Sequence, residues 1–135
     1  MTIGNVENIL LQWRSDGVEL NDPAEKETIE AAEKVIGFVF PQDFKNFYLK
    51  ADGFKDWDCE ANMFSIWPIE RIVTEYQQSK TKSFVGFCDY LINCHQIGFF
   101  KGRAGIYKSY DEFNSIARSF EEVLRLINSD SNLIQ

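Results

Sequence analysis

A run of carboxylates between residues 52 and 60 is the first group in this sequence whose types and spacing could do chemistry. The stretch DGFKDWDCE holds Asp52, Asp56, Asp58 and Glu60 within nine residues, and Trp57 lies among them. Clustered carboxylates bind either a metal ion or the lysine and arginine side chains of another protein. An exposed tryptophan is a frequent anchor of protein interfaces. The stretch therefore predicts either a metal loop or a contact surface for a basic partner.

The calcium interpretation fails on spacing. Asp56, Asp58 and Glu60 could be ligands 1, 3 and 5 of an EF-hand loop. Such a loop also needs glycine at its sixth position and glutamate at its twelfth, where this chain has Ala61 and Trp67. We therefore predict no calcium site in this stretch.

Two interpretations of the same stretch remain. In one, Asp52, Asp56, Trp57, Asp58 and Glu60 form the surface that binds a basic partner protein. In the other, the loop is simply solvated and its tryptophan folds back on the core, because loops are commonly polar whatever they bind. We predict the contact surface. A hydrolase that uses these carboxylates is a further alternative, which a pocket joining two of them with a raised pKa would favour.

His95 is the single histidine, and it follows Cys94 with Cys88 nearby. Neighbours on a strand point to opposite faces, so Cys94 and His95 cannot bind one zinc ion there, and a structural zinc site needs four ligands. The same geometry is poor for proton transfer from cysteine to histidine. We therefore expect no catalytic residue, no metal site and no cofactor, and we interpret His95 as a polar residue on a sheet face.

The few clustered cations are Lys101, Arg103 and Lys108. A small anion site is one interpretation of this group. The solubility of a polar turn explains the same residues equally well.

The overall charge favours some partners over others. The net charge is −7 and the sequence pI is near 4.7, which opposes binding to nucleic acid and to anionic membranes. It suits a basic protein partner, since opposite potentials speed encounter, although acidity also serves solubility alone. Many of the acidic residues fall on the predicted second helix, where carboxylates near the N-terminus interact favourably with the helix dipole. These residues are Glu19, Asp22, Glu25, Glu27, Glu30 and Glu33.

Length and cysteine content place the chain in a broad class. The 135 residues fit one domain, residues 1–135, without a linker or repeat. Three cysteines do not form a disulfide framework. No basic segment followed by an apolar stretch marks a signal peptide, and no apolar run approaches the ~20 residues that span a bilayer. We expect a cytoplasmic protein in a reducing environment.

The first half of the chain has helical spacing. Apolar residues at positions 6, 9, 10 and 13 form one face of a first helix. A second helix is predicted to begin with Asp22 as N-cap, Pro23 at its first position and Glu25 completing a capping box, and to end at Gly37.

The aromatic stretch GFVFPQDFKNFY follows the second helix. Residues 38–40, which include Val39, are expected to cross the core as a linker. Pro41 then begins a third helix, in which Phe44, Phe47 and Tyr48 share the buried face.

The second half predicts a sheet and a closing helix. Strands are expected at 63–67, 84–88, 90–100 and 105–110, with a short helix after Pro68 and a turn at 101–105. Ser119 and Glu122 predict the capping box of the last helix. The order of elements predicts an α+β domain, with a single, mostly antiparallel sheet.

The order of these features resembles the SUKH superfamily, which includes fungal cell-wall-synthesis regulators and bacterial immunity proteins. The residues that carry the resemblance are Ile29, Glu33, Gly37, Phe40-Pro41, Phe44, Tyr48, Asp52-Gly53, Phe64 to Ile66, Ile69 to Tyr76, Ala117, Ser119-Phe120 and Val123-Leu124. Phe40 and Asp52 depart from the leucine and asparagine that are usual at these two places.

The resemblance implies a fold and a kind of function. It implies an α+β domain whose helices pack on one face of one sheet. It also implies an immunity protein that binds and neutralises a toxin domain by stoichiometric protein–protein interaction, without turnover. The alternative it implies is a regulatory or scaffold domain that binds endogenous proteins.

Overall fold

The computed structural model of the chain describes residues 6–55, 59, 63–90 and 95–129. Within these ranges it contains five helices, α1 Val6–Ser15, α2 Lys26–Ile36, α3 Gln42–Tyr48, α4 Ile69–Gln78 and α5 Phe120–Asn128. The strands are β1 Phe64–Ile66, β2 Phe84–Tyr90, β3 His95–Phe100 and β4 Tyr107–Lys108. None of the helices in the described part of the chain is long and apolar enough to span a membrane.

The four strands form one antiparallel sheet in the order β1-β2-β3-β4. Gly86 lies opposite Gly98, and the register then shifts between Gly86 and Cys88. A Cβ atom on Gly98 would lie 2.1 Å from the Val85 carbonyl oxygen, so a side chain cannot be placed there. These two glycines therefore mark a bulge and a close approach of two backbone segments.

Aromatic side chains join the helices to the sheet. Phe44 of α3 contacts Phe87 of β2 and Phe99 of β3, with ring centroids 5.9 Å apart in both pairs. Phe120 of α5 lies 5.1 Å from Phe87. The predicted α+β class, with one antiparallel sheet and helices packed on its face, is confirmed.

Most predicted helix faces and ends are confirmed. The apolar residues of α1 at positions 6, 9, 10 and 13 are all buried. Gly37 ends α2 in the left-handed conformation, with φ 74°. The Ser119 hydroxyl accepts a hydrogen bond from the Glu122 amide, while the Glu122 carboxylate accepts one from the Arg118 amide. The last helix therefore begins where the capping residues predict.

The predicted start of the second helix is wrong. Helix α2 begins at Lys26, Glu25 precedes it without a side-chain cap, and Asp22 and Pro23 lie outside the helix. The Ala24 amide instead donates to the Tyr48 carbonyl oxygen (2.8 Å). Backbone groups of Asp22 and Ala24 form hydrogen bonds with the distant segment 48–52. These bonds take the place of the intrahelical bonds that a helix starting at Pro23 would form.

Three further predictions differ from the structure. Val39 is 73% exposed, so it does not cross the core, although Phe40 beside it is buried. The strand predicted for 90–100 is confirmed over His95–Phe100, Tyr90 instead ends β2, and residues 91–94 lie outside the described part. The strand predicted for 105–110 is reduced to Tyr107–Lys108, because Ile106 pairs with Ala117 instead.

Candidate functional site

The predicted contact surface is only partly within the described residues. Asp56, Trp57, Asp58 and Glu60 lie outside them, so the structure does not test their role. Asp52 is described, and it is partly buried. It is therefore the starting point for locating a site.

Asp52 occupies the point where three segments of the chain meet. Its Oδ1 atom accepts a hydrogen bond from the Ile69 amide at the start of α4 (2.8 Å). Its own amide donates to the Asp22 carbonyl oxygen (3.1 Å), and its carbonyl oxygen accepts from Nδ2 of Asn21 (2.9 Å). A carboxylate is favourable at a helix N-terminus, because the first amides lack intrahelical partners. Asp52 therefore fixes the segments 19–23 and 68–70 against each other.

An open cleft of about 760 Å³ lies at this meeting point. Its charged lining residues are Glu19, Asp22, Asp52, Lys55 and Glu70. Four carboxylates and one ammonium give this lining a net charge of −3 when all are ionised. Lys55 lies 3.6 Å from Glu19, and both side chains are more than half exposed, so this ion pair is weak. We call this feature the acidic cleft.

The electrostatics of the cleft act on Asp52. Burial is the main cause of the raised pKa of its carboxyl group, and the neighbouring Glu70 carboxylate raises this pKa further. The hydrogen bond from the Ile69 amide opposes the shift, because it stabilises the charged form. A cation placed in the cleft would lower this pKa again and would be attracted in return.

A closely packed frame, formed by Tyr48, Gly53 and Trp67, lies next to the cleft. The Tyr48 hydroxyl donates to the Trp67 carbonyl oxygen (2.6 Å), and Tyr48 is fully buried. Burial, followed by the Asp52 carboxylate and Cys88, raises the pKa of Tyr48 well above 10.0. Gly53 has φ 67°, and a Cβ atom there would lie 2.5 Å from the Trp67 carbonyl group. Backbone therefore packs directly on backbone at the base of the cleft.

A buried ionic network lies beside this frame, and no sequence motif indicates it. Asp89 is 3% exposed and accepts hydrogen bonds from Trp67 Nε1 and Arg71 Nη2, both 2.9 Å long. The Arg71 guanidinium also stacks 4.5 Å from the Trp67 ring centroid. A buried carboxylate needs such partners, so the network holds α4 on the sheet. Arg71 and Asp89 are 18 positions apart, and a single sequence does not indicate that two residues so far apart form an ion pair.

The predicted acidic run on the second helix has a mixed role. Asp22 and Glu19 line the cleft. Glu33 instead accepts a hydrogen bond from the Phe40 amide (2.8 Å) and pairs with Lys45 (3.2 Å). Its carboxylate thus ties α2 to the aromatic stretch and to α3. Its role here is structural.

The remaining candidate groups do not converge on one site. His95 packs between Tyr90 and Tyr110, with ring centroids 5.3 and 5.7 Å away, and Cys94 lies outside the described residues. Among the residues that the structure describes, no group of three His, Cys, Asp or Glu side chains could hold a metal ion.

The three clustered cations contact different partners. Lys101 donates to the Ile36 carbonyl oxygen (2.5 Å) and to the Tyr76 hydroxyl (2.6 Å). Arg103 pairs with Glu112 at 3.6 Å, and the Lys108 ammonium lies over the Tyr110 ring. These contacts favour a structural role over a shared anion site.

The cleft needed residues that sequence reasoning missed. Asn21, Lys55 and Glu70 were not predicted to belong to a site, and they reach it from three different segments. The available signal was the isolated Asp52-Gly53 pair before a strand, followed by Pro68 and Ile69. These residues do not indicate that the segment 19–23 packs against Asp52.

Comparison with known proteins agrees with this fold. A family model described as the SMI1 / KNR4 family (SUKH-1) matches residues 23–126, which is more than three quarters of the chain. The matched range begins at Pro23, includes the four strands of the described residues and reaches into α5. No curated protein matches the chain. The family match confirms the resemblance carried by the ordered motifs, and the chain belongs to the SMI1/KNR4 (SUKH-1) family.

Proposed function

We propose that this chain is an immunity protein that neutralises a toxin domain by binding it stoichiometrically, with the acidic cleft at the centre of its contact surface. Membership of the SUKH-1 family supports a role in protein–protein interaction. The observation that carries the choice of surface is the cleft's lining, four carboxylates with one lysine. Such a lining favours a partner with lysine and arginine side chains.

The frame of the cleft suits docking. Asp52 and Asn21 hydrogen-bond the walls together, and the Gly53 backbone packs on Trp67. Groups that are already ordered lose little conformational entropy when a partner binds. Carboxylates held on such a frame can therefore select a partner with a matching arrangement of cations.

The contact surface has to extend beyond the cleft. A standard protein interface covers about 800 Å² on each partner, with a polar rim around the centre. Asp56, Trp57, Asp58 and Glu60 follow Asp52 closely in the chain. We include them in the surface, as a part that the described residues do not test.

The proposal includes no catalytic turnover. Tight stoichiometric binding is sufficient to neutralise a toxin, since occupying or masking its active surface prevents substrate access. We also assign the protein to the cytoplasm, where a toxin delivered into the cell would act. The low number of cysteines supports this reducing compartment.

Reversing charges in the cleft tests the proposed surface. Asp22→Lys combined with Glu70→Lys should slow association with the cognate toxin domain by about tenfold or more at low salt, because opposite charges steer encounter. Both residues are exposed, so the fold should tolerate the changes. Association and dissociation rates would be measured by biolayer interferometry on a catalytically inactive toxin domain.

The matched control changes the same amount of charge elsewhere. Glu27→Lys combined with Glu30→Lys alters two exposed carboxylates on α2 that do not line the cleft. If both double variants slow association equally, net charge matters and the cleft does not. Asp56→Lys with Asp58→Lys, measured in the same way, tests the remaining part of the predicted surface.

A growth assay separates immunity from the regulatory alternative. Cells that express the active toxin domain should survive only when this chain is expressed with it. A chain that gives no protection, yet captures an endogenous protein in a pull-down from the same cells, would contradict the immunity proposal. That result would support a regulatory or scaffold role in the same family.

A further inference from the structure

The loop that follows β4 carries an exposed aromatic pair. Phe113 is 79% exposed and Tyr110 is 67% exposed, and no other aromatic side chain in the described ranges is exposed to this degree. Burying such rings is strongly favourable, and tyrosine is enriched at the centres of interfaces. Packing within this chain does not account for the exposure of two neighbouring rings, and exposed apolar patches commonly mark interaction sites.

Local contacts hold the loop in one shape. Asp111 Oδ1 accepts hydrogen bonds from the amides of Phe113 and Asn114, each 3.2 Å long. The Arg103 guanidinium lies 5.7 Å from the Phe113 ring centroid, and the Lys108 ammonium lies 5.8 Å from that of Tyr110. Rings ordered in this way lose less entropy when they are covered.

The charges around this pair cancel locally. Arg103 and Lys108 carry two positive charges, and Asp111 and Glu112 carry two negative charges. The whole chain carries −7, so two copies repel each other across most of their surfaces. A neutral area avoids this repulsion. We call the six residues Arg103, Lys108, Tyr110, Asp111, Glu112 and Phe113 the neutral aromatic patch.

We infer that the neutral aromatic patch binds the same patch of a second copy of this chain around a two-fold axis. A two-fold contact requires a surface that is complementary to itself. This patch meets that requirement, because an apolar centre is flanked by equal numbers of cations and anions. The cations of one copy can then face the anions of the other. The inference does not depend on the proposed toxin binding.

The size of the patch sets the strength of the contact. Two aromatic side chains bury at most about 500 Å² on each copy, which is below the roughly 800 Å² of a standard interface. We therefore expect a transient dimer with a dissociation constant between about 10 µM and 1 mM. Such an equilibrium would be absent at dilute concentrations and visible at high ones.

Sedimentation velocity over this concentration range tests the inference directly. The weight-average sedimentation coefficient of the wild-type chain should rise with concentration. Phe113→Asp should weaken self-association by about tenfold or more, since it removes the most exposed ring and adds a like charge on both sides of the axis. Val39→Asp is the matched control, because Val39 is 73% exposed and lies outside the patch.

Two charge variants test the complementarity. Lys108→Glu changes the net charge of the patch from zero to −2, and Glu112→Lys changes it to +2. Each variant alone should be monomeric, whereas an equimolar mixture of the two should form a dimer. A wild-type chain that stays monomeric up to ~1 mM, or a dimer that Phe113→Asp leaves intact, would overturn the inference. Failure of the mixture to dimerise would overturn it as well.

Discussion

Asp52 serves both stability and the candidate site. Its carboxylate accepts the Ile69 amide at the start of α4, and it also faces the acidic cleft. The two roles make opposite demands on its charge. The helix N-terminus favours the carboxylate, while burial and Glu70 favour the protonated form. Burial is the larger effect, so the pKa of Asp52 is raised.

The raised pKa of Asp52 predicts a direction for the pH dependence of stability. Below the ordinary pKa of 3.8, Asp52 is protonated in both the folded and unfolded states. As the pH rises through the raised folded pKa, the folded state binds the proton more tightly than the unfolded state, so the free energy of unfolding falls. Asp52→Asn keeps the side-chain oxygen near the Ile69 amide and cannot ionise.

Urea unfolding between about pH 3 and pH 7 measures this difference, since stability follows the difference in bound protons. The wild-type chain should lose stability relative to Asp52→Asn as the pH rises above 3.8. The reverse slope would show that the net effect of the surroundings is to favour the carboxylate. A difference that does not change with pH would mean that the pKa of Asp52 is unperturbed.

Gly53 gives a second prediction at the level of one residue. Gly53→Ala should lower the free energy of unfolding by about 3 kcal/mol or more, because it combines a left-handed φ with overlap on the Trp67 backbone. Gly17→Ala is the matched control, since Gly17 has φ 91° and nothing within 4 Å of the added Cβ atom. Gly17→Ala should lower the free energy of unfolding by about 1–2 kcal/mol, which is the cost of placing alanine in the left-handed conformation without any steric overlap.

Comparing the two alanine variants by urea denaturation isolates the close packing at the base of the cleft. Equal losses for the two variants would contradict it. A larger loss for Gly53→Ala would show that the Asp52-Gly53 pair is needed because no side chain fits at its second position.

Among the helices, α3 has the central position in the core. Its seven residues place Phe44 against Phe40, Phe87, Phe99 and Phe120, with ring centroids between 4.2 and 5.9 Å apart. Two of these partners lie in the sheet and one in α5. A short helix is therefore stable here through its tertiary contacts, since its own hydrogen bonds are too few to sustain it.

Truncating the central ring tests this view of α3. Phe44→Ala should lower the free energy of unfolding by about 3–5 kcal/mol, because the ring is fully buried and leaves a cavity. Phe113→Ala, which truncates the same side chain at an exposed position, should change it by less than about 0.5 kcal/mol. Chemical denaturation of the two variants provides the comparison. A loss below ~1 kcal/mol for Phe44→Ala would contradict its central role.

At the scale of the whole molecule, charge is distributed unevenly. The acidic cleft contributes −3 to the chain's −7, while the neutral aromatic patch contributes nothing. The two proposed associations should therefore respond differently to salt. Screening slows the approach of a basic partner to the cleft. At the neutral aromatic patch it weakens both the ion pairs across the two-fold axis and the repulsion between the two acidic copies, so the dimer should depend less on salt. Repeating both binding experiments at several salt concentrations distinguishes the two surfaces.

The sequence by itself determined most of the secondary structure and the family. Apolar spacing located the buried faces of α1 and α3, and Ser119 with Glu122 located the start of the last helix. These features depend on residues within a few positions of each other, so a single sequence reveals them. Asp52 was identified for its carboxylate, but its neighbours in the cleft were not.

Only the tertiary structure decided how α2 begins and what surrounds Asp52. The capping pattern at Asp22 and Pro23 predicts a helix start, yet the Ala24 amide donates to the distant Tyr48 carbonyl oxygen. The same long-range pairing brings Glu19 and Asp22 to Asp52 and Glu70, and so creates the cleft. Local propensity contributes about 1 kcal/mol at a helix cap. Backbone hydrogen bonds and buried contacts between distant segments outweigh it, and their partners are fixed only when the chain folds.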